Sequence, residues 1–429
     1  MKKFLFMLLL SLTGSQIKAQ TLSEQEQKLV SYINKEIPNN LALLKELVDI
    51  NSGTLNLAGV KKVGHILQKK FTKIGFTTEW INLPDSLKRA GHLVAYKKGK
   101  KGKKILLIGH LDTVFELDTP ANPYSQVNDS TVTGQGVNDM KGGDVILLAA
   151  LNALEHFGLL KDATITAYFT GDEEKGGNPR SVARADFITR ATAHDIALGF
   201  EGAKGLNTVV TGRRGVSSWK LNVLGKQAHS AGIFGQSAGY GSVFETARIL
   251  DSLRTVLSAE KYLSFNPGLI AGGTEIREIP GGMETVGKDN IIASSTLVEG
   301  DLRFLTEAQK NTARATMKRI TGTNNLPGTS AEISFSDGIP SMEPTAGNNK
   351  LVEIISKIGR DMGIGEIKGD DPGSRGAGDI SYIAKYLDCM DGLGASGKGA
   401  HAPGETMNLN EFPVLISRAA ILIYRLTRE

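Results

Sequence analysis

Short apolar runs at Leu93–Tyr96, Ile105–Ile108, Thr164–Thr170 and Ile196–Phe200 recur through the first half of the chain, with a helical stretch, Gly143–His156, between two of them. Strands alternating with helices restrict a chain to a layered α/β fold with a largely parallel sheet. Ahead of them, Leu41, Leu44, Leu47 and Val48, then Val60, Val63, Ile66, Leu67 and Phe71, keep helical spacing between Leu22 and Gly75. Sheets of this kind place their chemistry just beyond the strand ends, so the residues that follow each apolar run carry most of the functional information.

Around Thr211 the texture changes. Val216–Leu224 alternates apolar and polar residues, Ala238–Leu257 is helical, Ile291–Phe304 reads as strand, Thr306–Ile320 as helix and Glu332–Phe335 as a short strand. A β-α-β-β-α-β order of this size predicts a small antiparallel sheet with helices on one face. After about Leu326 the helix–strand alternation returns and ends in the amphipathic stretch Phe412–Leu426. The expected organisation is an α/β domain made of residues 20–212 and 328–429, interrupted by an inserted α+β domain at 213–327.

Residues 1–19 have the layout of a secretory leader: two lysines, the apolar run Phe4–Leu12 and the small-residue site Ile17-Lys18-Ala19. The run is far below the ~20 residues of a membrane span, so export with cleavage near Ala19, to the periplasm or beyond, is expected rather than a stable membrane anchor. Losing Lys2, Lys3 and Lys18 lowers the formal net charge from +5 to +2, which offers no basis for binding nucleic acid. The basic stretch Lys97–Lys104 is interleaved with glycine and not with aromatics, and reads as a solvated hairpin turn. The 50 glycines fall in loops with no repeat period, which excludes solenoid and fibrous classes. A single cysteine, Cys389, excludes an internal disulfide, and its apolar setting in Tyr386–Met390 predicts a buried, inert thiol.

Five successive strand or loop exits deliver a histidine or carboxylate. Gly109-His110-Leu111-Asp112 follows one strand, Gly171-Asp172-Glu173-Glu174 another and Glu201-Gly202 a third; the Gly134–Gly143 loop holds Asp139, and a glycine loop after Tyr386–Met390 ends at His401. Histidine and carboxylate without thiolate is a ligand set for catalytic zinc. Asp112 could accept the second ring N–H of His110 and fix its tautomer. Adjacent glutamates allow one to bind metal while the other serves as general base, and a shared carboxylate could bridge two ions. Two other motifs fail on context. Gly235-Gln236-Ser237-Ala238-Gly239 spells a nucleophile elbow without the core strand that must precede it. Gly392–Gly399 approaches a phosphate loop but lacks the Ser or Thr for magnesium, and Pro403 blocks the helix that should follow.

The pattern resembles the dizinc metallopeptidase family of glutamate carboxypeptidase, aminoacylase, tripeptidase T and succinyl-diaminopimelate desuccinylase. The resemblance runs from about Leu41 to the C-terminus and is most specific in His110-Leu111-Asp112-Thr113-Val114, Gly134–Gly143, Gly171–Glu174, Gly225–Ser230 and Gly399–His401. It implies a zinc-exopeptidase-type catalytic domain with a mixed, mostly parallel sheet and an inserted ferredoxin-like lid or dimerisation domain. It further implies two Zn2+ ions per subunit, with Co2+ or Mn2+ as substitutes: His110 and Glu201 on one, Glu174 and His401 on the other, Asp139 bridging. Glu173 takes the general-base position and Asp112 the position that orients His110. On the inserted domain, His229 matches a histidine that reaches a neighbouring active site, while Asn290 and Arg303 match substrate contacts, with Arg303 on a terminal carboxylate. Arg303 has a competing reading as the partner of Asp301. The chain departs from the family pattern at Met140, where many relatives carry a second aspartate, and at Ala293, where proline is usual.

The expected activity is hydrolysis of peptide or amide bonds by an exported glutamate-carboxypeptidase-like exopeptidase acting on a small peptide. The alternatives are an aminoacylase acting on an N-acyl amino acid and, in another class, a catalytically silent metal-containing peptide-binding protein, against which the intact Glu173 argues. A homodimer through the inserted domain follows from the resemblance alone.

Overall fold

The helical spacing before Gly75 resolves into two helices, Glu24–Val48 and Leu57–Lys73, in a computed structural model that describes residues 21–428. The expected leader, residues 1–19, lies outside the described residues. The first helix opens on a capping box: the Ser23 hydroxyl accepts the Glu26 N–H, and the Glu26 carboxylate accepts the Ser23 N–H. Asn56 caps the second through the Gly59 N–H.

The central sheet has six strands in the order Thr77–Ile81, His92–Lys97, Ala163–Thr170, Lys101–His110, Ile196–Gly199 and Asp388–Met390. The last four run parallel and the first two antiparallel, so the sheet is mixed and mostly parallel. Alternate side chains sort into two cores. Leu93, Ala95, Ile105, Leu107, Ile165, Ala167 and Leu198 pack beneath the helices Glu24–Val48, Lys141–His156 and Phe412–Leu426. Val94, Leu106, Ile108, Tyr168 and Ala197 pack on the opposite face against Phe187, Ile380 and Ile383. Burial on both faces is what turns these strands into continuous apolar runs.

The lysine-rich stretch is not a hairpin turn. The strands on either side of it, His92–Lys97 and Lys101–His110, each pair with Ala163–Thr170 and not with one another. The connection therefore crosses the start of that middle strand, where Lys100 N–H and Lys101 N–H donate to the Asp162 carbonyl. Gly99 allows the crossing, because a Cβ there would lie 1.9 Å from that carbonyl oxygen.

A second sheet, all antiparallel, has the order Ser264–Gly273, Ser295–Phe304, Gly215–Leu224 and Ser330–Asp337, with helices Gly241–Leu257 and Glu307–Gly322 packed on it. Its own core is built on Trp219, Leu221, Val223, Ile249, Val298 and Met317. The sheet runs past the expected boundary at residue 327, because Ser330–Asp337 pairs along the length of Gly215–Leu224. The strand Ser264–Gly273 and the hairpin Glu275–Ile279/Gly282–Val286 have no counterpart in the sequence pattern: they are largely exposed and lack apolar alternation. Cys389 is fully buried in the strand Asp388–Met390, and burial raises its thiol pKa well above the ordinary range, so it is held as an inert thiol. Among the described residues no helix is long and apolar enough to cross a membrane.

Candidate metal centre

Parallel register brings three strand ends to one edge. His110 closes its strand opposite Thr170, which leads into Glu173 and Glu174, while Ile108 lies opposite Gly199, two residues before Glu201. Asp139 comes from the loop that opens the helix Lys141–His156, and His401 from the turn between Gly397–Lys398 and Thr406–Asn408. His401 sits at φ +66°, a left-handed conformation that non-glycine residues adopt mainly where the surroundings enforce it.

These residues form two triads that share one carboxylate. Asp139 Oδ1 lies 3.3 Å from His110 Nε2, and Glu201 Oε1 lies 3.7 Å from the same nitrogen. Asp139 Oδ2 lies 2.9 Å from His401 Nε2, with Glu174 Oε2 at 3.4 Å from that nitrogen. Glu173 stands with His110 and Glu174 in a third group, and within each group the donor atoms lie inside 4.8 Å of one another. The His110 tautomer is set by its own loop: Nδ1–H donates to the Asp112 carbonyl at 3.0 Å, which leaves Nε2 free as a donor atom for metal.

The electrostatics fit a cation. Burial, then the neighbouring Glu201 charge, lifts Glu173 well above the usual carboxylate range. Burial and the Asp139 charge raise Glu201 to about 7 and Glu174 to about 8. Hydrogen bonding to Asp139 raises His401 to about 9. Burial would keep His110 neutral, but the surrounding carboxylates, Asp139 foremost, outweigh it and push its pKa up. Asp139 itself is held low by the two histidines despite its burial. Glu174 Oε1 is buried with no hydrogen-bond donor. Crowded carboxylates, an orphaned oxygen and two imidazoles, without thiolate, make a donor set suited to two divalent ions once the histidines give up their extra protons.

Asp112 is used differently from the sequence expectation. Its carbonyl orients His110, whereas its carboxylate Oδ1 is 3.6 Å from that ring and accepts the Glu173 N–H at 3.0 Å. Its Oδ2 accepts the Glu174 N–H at 3.1 Å and the Thr54 hydroxyl at 2.6 Å. On the second sheet, His229 and Asn290 are exposed neighbours, with the Ser230 N–H donating to the Asn290 carbonyl at 2.9 Å. Arg303 donates to Asp301 at 2.8 Å, the competing reading. Among the described residues no hydrogen bond or ion pair joins His229, Asn290 or Arg303 to the triads.

Several supports of the site carry almost no local sequence signal. The Glu405 carboxylate, fully buried, accepts the backbone N–H groups of Gly136, Asn138 and Asp139 at 3.1, 2.7 and 2.7 Å, tying the His401 turn to the Asp139 loop. Its place four residues after His401 was the one local signal. Arg184 joins Asp172 and Asp379 at 2.5 and 2.7 Å beneath Glu173, and Arg213 pairs with Asp391 at 2.7 Å beside Glu201. These partners are far apart in the chain, and no local pattern announces them.

Two histidine–carboxylate triads sharing a carboxylate define a metallohydrolase built for a pair of ions. Residues 106–425 match peptidase family M20/M25/M40, and the chain belongs to that family of metal-dependent hydrolases. Carboxypeptidase G2 of Pseudomonas sp. (strain RS-16) is 26% identical over 408 residues, covering 93% of this chain and 92% of its own. A tripeptidase structure from Staphylococcus aureus superposes with a TM-score of 0.72 at 20% identity, covering 94% of this chain and 99% of that one. A Bacillus subtilis structure described as a dinuclear metal-binding peptidase of the M20 family gives 0.65 at 14% identity, covering 92% and 99%.

Proposed function

We propose that this protein is an exported, zinc-dependent exopeptidase of carboxypeptidase type that hydrolyses the amide bond before the C-terminal residue of a small peptide. The observation that carries the reading is the position of Glu173. It stands beside His110 and Glu174 yet outside both triads that share Asp139, a carboxylate left over from both ligand sets and so available as a base. The similarity to carboxypeptidase G2 along nearly the full chain supports the choice of branch.

His110, Asp139 and Glu201 would hold one ion, and Asp139, Glu174 and His401 the other. When bound, the ions lower the pKa of a water molecule and polarise the scissile carbonyl. Glu173 then accepts a proton from the attacking water and delivers it to the leaving amine. Asp112 keeps Glu173 in place through its backbone N–H. The second sheet and its helices act as a lid and a dimer surface, from which the exposed His229 reaches a neighbouring subunit's site and stabilises the developing oxyanion, while Asn290, also exposed, contacts substrate. The leader directs the chain out of the cytoplasm.

Amino-acid release from a panel of free and N-acylated dipeptides, with and without chelator, tests the reading. Chelator-sensitive release of the C-terminal residue from N-blocked substrates is expected. Cleavage confined to substrates with a free N-terminus would move the protein to the aminopeptidase branch. No release from metal-loaded protein would favour a silent peptide-binding protein.

A further inference from the structure

Arg375 lies in the segment that follows the turn Pro372–Ser374, and its Nη2 donates to the carbonyl of Gly202 at 2.8 Å. Gly202 is the residue after Glu201, so the guanidinium sits one peptide from a triad carboxylate. That bond is its single hydrogen bond among the described residues, although the group has five N–H donors. Its Nε is buried and unpartnered. The nearest carboxylate oxygen, Asp370 Oδ2, is 3.7 Å away and already pairs with Lys204 at 2.8 Å. The neighbouring Arg213 takes the Asp391 carboxylate at 2.7 Å and the Gly376 carbonyl at 3.0 Å for itself, and its charge still repels Arg375. Burial and that neighbouring charge both disfavour the cation. The side chain nevertheless keeps about a fifth of its surface open, 19%. An under-neutralised fork beside the candidate centre is suited to a planar anion. Arg303, which the family resemblance points to for this task, has its charge satisfied by Asp301.

We propose that Arg375 is a specificity residue that binds a carboxylate of the residue released from the substrate. This rests on the carboxypeptidase reading above. The carboxylate has two sources, the α-group or an acidic side chain, and the experiment separates them. KM and kcat are measured for N-acylated glutamate, N-acylated glutamine and the α-amide of N-acylated glutamate with wild type, Arg375→Met, Arg375→Lys and Arg303→Met. In Arg375→Met, KM rises about 10- to 100-fold for substrates bearing the recognised carboxylate, while kcat stays within a few-fold. Arg375→Lys, which keeps the charge and loses the fork, falls between. Equal losses on glutamate and glutamine, spared in the α-amide, identify the α-carboxylate; losses on glutamate and its α-amide, spared in glutamine, identify the side chain. Metal content and melting temperature verify folding, and Arg375→Lys serves if Arg375→Met does not fold. A KM that moves equally for all three substrates, or only in Arg303→Met, overturns the inference and leaves the carboxypeptidase reading standing. Wild-type protein that cleaves none of the three overturns the inference, and the carboxypeptidase reading falls with it only when the panel of N-blocked dipeptides is also left intact.

Discussion

The Asp112 carboxylate accepts the backbone N–H of Glu173 at 3.0 Å and, through its other oxygen, that of Glu174 at 3.1 Å. His110 is held by the Asp112 carbonyl instead, a contact that any residue at this position could supply. Removing the carboxylate should therefore loosen the Glu173–Glu174 turn and spare the imidazole. In Asp112→Ala the ion held through Glu174 and His401 should weaken by roughly 10- to 100-fold, with the ion held through His110 and Glu201 much less affected. Competition with a chromophoric chelator resolves the two steps. Loss of the His110 ion first would show that the carboxylate orients the ring after all.

Glu405 supports Asp139, the carboxylate common to both triads, in the same way from the other side. Glu405→Ala leaves the buried N–H groups of Gly136, Asn138 and Asp139 without their acceptor. Each orphaned donor costs about 1–3 kcal/mol, so a loss of several kcal/mol is expected in urea unfolding. Glu405→Gln keeps one acceptor oxygen and should lose less. Equal stability of wild type and Glu405→Ala would mean that water replaces the clamp at no cost.

What the sequence revealed and what it hid have a common physical basis. His110, Glu173, Glu174 and Glu201 are legible because apolar runs mark the strands and parallel register aligns their ends. The β-α-β-β-α-β order of the second sheet is legible from the alternation in Val216–Leu224 and its flanking helices. The exposed strand Ser264–Gly273 and the hairpin after it bury too little on either face to leave a period-two trace. Arg213, Arg184 and Arg375 escape notice because an arginine's meaning lies in its partner: Asp391 is 178 positions from Arg213, and Asp379 is 195 from Arg184. Asp112 is legible as a site residue, but which of its oxygens faces His110 is decided by the turn that brings Glu173 across.

Arg425 binds Glu26 at 2.7 Å and Asp361 at 2.8 Å, joining the first helix, the helix Ala346–Asp361 and the last helix. Burial pushes both carboxylates up, but the guanidinium and their other donors prevail and leave both below their ordinary values. A depressed folded-state pKa contributes stability that is present above the unfolded pKa, near 4, and is lost as pH falls through the lower folded value. Arg425→Met should lose about 2 kcal/mol at pH 7, with the gap to wild type closing as pH falls through the depressed folded-state values of the two carboxylates. A pH-independent gap would assign the effect to packing of the arginine stem.

In the metal-free protein Glu174 titrates at about 8 and His401 at about 9, so at pH 7 both hold protons that ligation must displace. Metal uptake at pH 7 should release about two protons per chain or more, because His110 is also pushed up and Glu201 sits at about 7, and apparent affinity should climb between pH 6 and 9. Because both folded-state values are raised, protonation stabilises the metal-free fold at low pH, and that contribution fades as pH rises through 8 and 9. Calorimetry in buffers of different ionisation enthalpy measures the release. Heats that do not depend on the buffer would contradict it.

In the proposed mechanism Glu173 moves the proton while the two triads hold the metal. Glu173→Gln keeps the shape and removes the base, so its turnover of an N-acylated dipeptide, compared with its metal content, is the most direct measurement. Its kcat should fall about 10²- to 10⁴-fold with two ions still bound per chain. Wild-type kcat in that variant would contradict the role of Glu173, and a fall in kcat that tracks loss of metal would make Glu173 a ligand instead.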